Sequence, residues 1–251
     1  MVAAEREFEG RVAFVTGAGH GMARATARML AESGANLGLV DSNGDELAQV
    51  ARECRELGAT VVDALVDLTS SASVDGVVRA VHEGLGRIDI AANVAGIYPR
   101  ATVEEATDEH WALVIGTNLT GTFACCRAVL PIMKAQGGGS IVNVVSEAAF
   151  VGVAGMGAYS ASKGGIVAFS RALALEAAPV RVNVMCPGPT SRSFRADAPA
   201  DGAAPAEVPG IPIGRLGWPE EMAEAICWLA SDRSSFVTGH VLQVNGGRYM
   251  V

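Results

Sequence analysis

Short runs of β-branched and apolar residues alternate along the chain with longer segments whose apolar positions recur at helical spacing. The runs at 11–16, 36–41, 60–66, 88–94, 140–145, 180–186 and 240–244 are each bounded by Gly, Pro, Asn or Asp and predict strands. Helical period covers 21–33, 44–57, 71–85, 107–136, 157–178 and 219–231, with Gly34 placed to cap the first. Strands alternating with helices mark successive βα units, which build a parallel sheet covered by helices on both faces. Burial on both faces also accounts for strands that are apolar throughout instead of alternating. One segment escapes the pattern. Residues 193–213 are rich in Ala, Pro, Gly and Asp, have no hydrophobic period and are too long for a routine connection, so they predict an active-site lid within a single domain spanning 1–251.

Composition narrows the classes. The 251 residues are 50% hydrophobic and 18% charged, enough to bury a sizeable core. A closed (β/α)₈ barrel also runs to about 250 residues, so length does not separate it from an open doubly wound sheet. A formal net charge of −8 leaves no basic face for a phosphate backbone, and nucleic acid is not an expected partner. Cys54, Cys125, Cys126, Cys186 and Cys227 are odd in number and show no metal-ligand spacing, which argues against a disulfide framework or zinc site and suits a reducing cytoplasm. The charged start, with Glu5, Arg6, Glu7 and Glu9, is not a secretory signal. The longest stretch free of charge and strong polarity, 148–159, falls short of the ~18 residues that cross a bilayer and is broken by three glycines, so no membrane segment is expected.

The chemistry begins at the first turn, where Thr16-Gly17-Ala18-Gly19-His20-Gly21-Met22-Ala23 follows a strand and opens a helix. Glycines let the backbone turn sharply and approach a pyrophosphate held at the helix N-terminus. Met22 stands where a strict Gly-x-Gly-x-x-Gly would have its last glycine. Asp41 ends the second strand 20 residues beyond Gly21. It either accepts hydrogen bonds from an adenosine ribose, which would favour NAD over its 2′-phosphate counterpart, or starts a turn with Ser42, Asn43 and Gly44. His20 either touches phosphate or stands exposed in the loop. His82, His110 and His240 are scattered singly and suggest no metal.

Further on, Tyr159 and Lys163 are four apart, which on a helix brings the ammonium close to the phenol. A phenol titrates near ~10, so working near ~7 requires about 4 kcal/mol of selective stabilisation of the phenolate, which a nearby cation supplies. Ser146 lies 13 residues before Tyr159, just after the apolar run 141–145, where a parallel sheet exposes side chains at its carboxyl edge. Its hydroxyl either orients a reacting oxygen or caps a turn.

Taken together, these segments resemble the short-chain dehydrogenase/reductase family over nearly the whole chain. Thr16-Gly17-x-x-x-Gly21 matches the family's cofactor loop, Asp67-Leu68 its adenine-contacting dipeptide, and Asn93-x-Ala95-Gly96 its fourth-strand motif. Asn118 matches its structural and proton-relay asparagine, Ser146 its substrate-orienting serine, and Tyr159 with Lys163 its acid/base pair. Pro187-Gly188, with Thr190 close behind, matches its nicotinamide contact, and Gly214-Arg215 to Gly217, Pro219-Glu220-Glu221 and Val244-Asn245-Gly246-Gly247 resemble its closing segments. Three positions depart from the pattern: Ala23 replaces a glycine, Val94 an asparagine, and Arg192 a threonine for which Thr190, Ser191 or Ser193 can substitute.

The resemblance implies a Rossmann-like, doubly wound parallel sheet of order 3-2-1-4-5-6-7 and NAD-dependent hydride transfer to or from a secondary alcohol or ketone. It also implies a homotetramer formed through the helices at 107–136 and 157–178. The alternatives are a reductase of 3-oxoacyl thioesters, against which Asp41 speaks, and a non-catalytic nucleotide-sensing protein of the same fold. Candidate pocket residues are Ile97, Tyr98, Ala148, Phe150, Val151, Met156 and Pro189, with Glu147 and Arg192 able to meet a polar group.

Overall fold

A computed structural model describes residues 6–191 and 208–250. The seven expected strands are β1 Val12–Thr16, β2 Asn36–Asp41, β3 Val61–Leu65, β4 Ile90–Asn93, β5 Gly139–Val144, β6 Val180–Pro187 and β7 Val241–Val244. They form one sheet of order β3-β2-β1-β4-β5-β6-β7, parallel throughout. An open sheet of this order excludes the barrel. Its strand order reverses between β1 and β4, where Thr16 and Asn93 stand in register, and the crevice for a ligand lies outside those carboxyl ends.

Alternate residues of β1 sort the two layers. Ala13 and Val15 pack beneath the helices α1 Gly21–Glu32, α2 Gly44–Glu56 and α7 Pro219–Ala230, among Ala27, Leu30, Val50 and Ile226. Val12 and Phe14 face the other layer with Val78, Val129 and Leu173, from α3 Ser71–Leu85, α5 Gly121–Ala135 and α6 Gly157–Glu176. A smaller cluster of Val145, Ile166, Val167, Val184 and Cys186 lies beside the reacting end of β5 and β6.

The expected helix over 107–136 is a continuous helical run with a defect. It comprises α4 Asp108–Ile115, a π-helical stretch Gly116–Thr120 and α5. Such a stretch inserts a residue into the turn and re-aims side chains, often at a functional site. By length and composition alone, Asp108–Ala135 is apolar and long enough to cross a membrane. In the fold it is a core helix: Val114, Asn118, Thr122, Cys126, Val129 and Met133 are buried along one side. The end of the expected lid, 208–213, is a compact turn with Ile211 buried and Ile213 N–H donating to Gly246 O at 3.1 Å. Residues 193–207 of that segment lie outside the described residues.

Candidate active site

At the end of β1, Thr16 Oγ1 accepts from Val94 N at 3.1 Å and Ala95 N at 3.2 Å, tying the glycine loop to the segment after β4. Gly17 has φ +69°, and a Cβ there would sit 2.9 Å from Ala95 Cα, so no other residue fits. Gly21 then opens α1. His20 caps this helix in an extended conformation with no side-chain bond, so the first-turn N–H groups face the crevice without a side-chain acceptor. The His20 ring is exposed, its Nδ1 3.6 Å from Glu46 Oε2, and Met22 packs against the α1 layer. Ala23 is buried in that layer, where only a small residue lets the helix approach.

Asp41 does structural work whichever of its two roles applies. Its side chain is buried, Oδ2 accepts from Gly19 N at 2.9 Å, and Oδ1 accepts from Asn43 N at 3.0 Å. The turn and the loop are thus held by one carboxylate at the crevice. Asp67 is an exposed turn cap, accepting from Thr69 N at 2.9 Å and Thr69 Oγ1 at 2.6 Å, and these bonds hold its carboxyl below the usual range. Leu68 packs against the layer containing α5.

The Asn93 side chain is bonded among other buried polar groups. Nδ2 donates to Asn143 Oδ1 at 2.8 Å and to Cys126 Sγ at 3.4 Å, and Asn143 in turn donates to Ser170 Oγ at 2.9 Å. The group is turned into the core, where buried amides need one another, and it braces β4 against β5.

Across the crevice, the first turns of α6 bring Tyr159 and Lys163 beneath the end of β5. Lys163 is buried and donates from Nζ to Val144 O at 2.9 Å, with the Tyr159 ring centroid 5.8 Å away. Burial lowers its pKa to about 8, a trend the Cys186 thiol opposes. A Cβ at Gly96 would lie 3.1 Å from Nζ and 3.4 Å from Asn118 Oδ1, so the glycine makes room for both groups. Asn118, fully buried in the π-helical stretch, accepts from Ile97 N at 2.9 Å and donates to Ile97 O at 2.9 Å and Ser162 Oγ at 3.1 Å. It locks the loop after β4 to α6.

Tyr159 is raised above an ordinary phenol, chiefly by burial; a hydrogen bond with Ser146 pulls it down, while Tyr98 and Cys186 push it up. Ser146 Oγ also accepts from Ala148 N at 3.3 Å and caps a short turn at Glu147–Ala149, one of its two expected roles. The half-exposed Tyr98 ring meets Tyr159 edge-on with centroids 6.0 Å apart. On the far side, Pro187 ends β6, Gly188 N donates to Val244 O at 3.0 Å, and Thr190 Oγ1 donates to Gly188 O at 3.0 Å. Arg192 and Ser193 lie outside the described residues.

The structure therefore brings Asn118, Ser146, Tyr159 and Lys163 around the end of β5 and sets the glycine loop, Asp41 and Gly96 beside them. Sequence reasoning did not find Ser162, which joins Asn118 to α6, or Cys186, a buried thiol pushed up to about 12 that neighbours both Tyr159 and Lys163. Nor did it find Arg248 and Tyr249, which reach Glu147 and Phe150 across about 100 positions of sequence with no local motif to announce them.

A family model described as Enoyl-(Acyl carrier protein) reductase matches residues 17–248. The chain is 36% identical to the 3-oxoacyl-(acyl-carrier-protein) reductase of Thermotoga maritima, over 95% of this chain and 98% of that protein. It is 41% identical to the cis-4-hydroxycyclohexanecarboxylate dehydrogenase of Sinomonas cyclohexanicum, over 96% and 97% of the two chains. The crystal structure of a short-chain dehydrogenase/reductase from Burkholderia xenovorans superposes with a TM-score of 0.88 at 34% identity, over 98% of both chains. Likeness along the full length, on this sheet order, makes the chain a member of the short-chain dehydrogenase/reductase family and an oxidoreductase.

Proposed function

We propose that the protein is an NAD-dependent dehydrogenase/reductase that moves a hydride between a nicotinamide and the carbon of a secondary alcohol or ketone. The residues fit the dinucleotide. Gly17 leaves a cradle that a Cβ would fill, the α1 N-terminus offers N–H groups for a pyrophosphate, and the Asp41 carboxylate lies where an adenosine ribose would meet it. Its negative charge repels a 2′-phosphate, which supports NAD as the preferred cofactor. When bound, the nicotinamide supplies the hydride acceptor or donor.

The chain's own groups handle the proton and the oxygen. Ser146 Oγ, already bonded to Tyr159, holds the substrate oxygen, and the Tyr159 hydroxyl exchanges a proton with it. Without ligands, burial keeps that phenol protonated. The buried Lys163 ammonium supplies part of the stabilisation the phenolate requires, and its place beside Gly96 lets it hold a ribose hydroxyl as well. Asn118 keeps the loop after β4 in position and supports proton passage to solvent. The observation that carries this function is a buried lysine set against a half-buried tyrosine that is hydrogen-bonded to a strand-end serine. A complete set of this kind has no use in a non-catalytic nucleotide sensor.

A second reading, reduction of 3-oxoacyl thioesters, is favoured by the Thermotoga relative. Following nicotinamide absorbance across cyclic alcohols, polyols, steroids and hydroxyacyl thioesters separates the two. Trp111, Leu113, Phe123 and Leu175 are large apolar side chains exposed on α4, α5 and α6. They support assembly of a homotetramer through these helices, which sedimentation velocity tests.

A further inference from the structure

Between β4 and α4 the chain forms a strap that is fixed at two points. At the first, Ile97 N donates to Asn118 Oδ1 and Ile97 O accepts from Asn118 Nδ2, both at 2.9 Å. At the second, Ala101 forms a parallel bridge with Met156 and donates from N to Gly155 O at 3.0 Å, so the strap returns to the start of the helix that carries Tyr159. Only Tyr98, Pro99 and Arg100 lie between these anchors. Pro99 also restricts the residue before it to extended backbone. Tyr98 thus has little backbone freedom, although its side chain is 55% exposed.

What this fixed, exposed ring touches is the reacting phenol. Tyr98 and Tyr159 meet edge-on, with centroids 6.0 Å apart and planes at 62°, a favoured geometry for aromatic pairs. The other groups facing that phenol are Ser146 from the end of β5, Lys163 one turn along α6 and Cys186 from β6, with Glu147 acting on Cys186 in turn. Lys163 and Cys186 are buried, and Ser146 is partly so. Tyr98 is the one of the four that is mainly open to solvent, so its ring stands between Tyr159 and water on that side. A ring in this place removes water without offering the phenolate a hydrogen bond or a cation, which favours the neutral phenol. Burial is also the largest influence raising Tyr159.

We propose that Tyr98 is a positioning residue for proton transfer: its strap-held ring screens the Tyr159 phenol from water, so that Tyr159 keeps its proton until substrate and cofactor are in place. This rests on the proton-transfer role given to Tyr159 above. The chain has three tyrosines, Tyr98, Tyr159 and Tyr249, so tyrosinate absorbance followed against pH in the cofactor-free protein resolves the Tyr159 step, which Tyr159→Phe identifies by removing it. Tyr98→Ala opens the phenol to water and moves that step down by about 0.5 to 1 pH unit. Tyr98→Phe keeps the ring and leaves the step near its wild-type position. The acid limb of kcat/KM for alcohol oxidation at saturating NAD follows the same order, lower in Tyr98→Ala and held in Tyr98→Phe. A ring with a merely structural role would change stability or the height of the profile and move neither midpoint. An unmoved step or an unmoved limb in Tyr98→Ala, or an equal shift in Tyr98→Phe, overturns the screen. A shifted titration with no hydride transfer from any alcohol instead upholds the screen and removes the function on which its catalytic meaning rests.

Discussion

The nucleotide half of the crevice and the reacting half are built differently. Around the glycine loop, Thr16 and Asp41 spend their oxygens on backbone N–H groups of neighbouring loops. Around Ser146, by contrast, a lysine is buried with its pKa lowered to about 8, a tyrosine is pushed up, and the buried Glu147 Oε2, Ser160 Oγ and Gln243 Nε2 have no partner among the described residues. A dinucleotide recognised through backbone needs a frame that is already settled. Proton transfer needs groups whose ionisation a ligand can tip, and the fold holds them in a less favourable state until it arrives.

That contrast breaks first at Tyr159. Tyr159→Phe removes one hydroxyl and little volume, so turnover falls by about 10² to 10⁴ while NADH binding by fluorescence titration stays as in the wild type. Near-normal turnover would mean that the unsettled half is not the reacting half.

Lys163 gives the next largest effect, in stability. Burial places its folded pKa at about 8 against 10.5 for the free group, so between these values the unfolded chain binds more protons and this lysine's contribution to stability rises with pH. Below pH 8 the fold bears the whole penalty. Lys163→Met relieves it, and urea unfolding without cofactor shows the variant gaining up to about 3 kcal/mol on the wild type near pH 7 and losing that gain by pH 10.5. The same variant loses turnover. A constant difference across this range would show that the charge is not strained.

Asp41→Ala probes the settled half. Each charge-assisted bond to a ribose hydroxyl contributes roughly 1.5 to 3 kcal/mol, so the wild type binds NAD(H) at least tenfold tighter than NADP(H), and the variant loses most of that preference in calorimetry. Because Asp41 also holds Gly19 N and Asn43 N, NAD affinity itself falls. Equal affinities in the wild type would leave the carboxylate a purely structural tie. The smallest effect belongs to His20. Its exposed ring faces Glu46 at 3.6 Å, an interaction of about 0 to 1 kcal/mol, so His20→Ala changes NAD affinity less than threefold.

The amino-acid sequence by itself determined the element order and the parallel sheet, and it named the residues that meet around the end of β5. β2 and α3 fall at their expected bounds because period and turn residues are local signals. Ser146, Tyr159 and Lys163 were legible because their spacing on one strand end and one helix face needs no knowledge of the rest of the chain. What only the tertiary structure decided are properties of contact between distant segments. The hydrophobic period passes through 107–136 without showing that Gly116–Thr120 is π-helical, because the inserted residue is held there by Asn118 bonding to Ile97. A fourth-strand asparagine has the same letter whether its amide faces cofactor or core, and Cys126, Asn143 and Ser170 settle that Asn93 faces the core. Arg248 meets Glu147, and Tyr249 meets Phe150, only because β5, β6 and β7 are neighbours in the sheet. Periodicity records which face of an element is buried; it does not record which distant polar group lies waiting on that face.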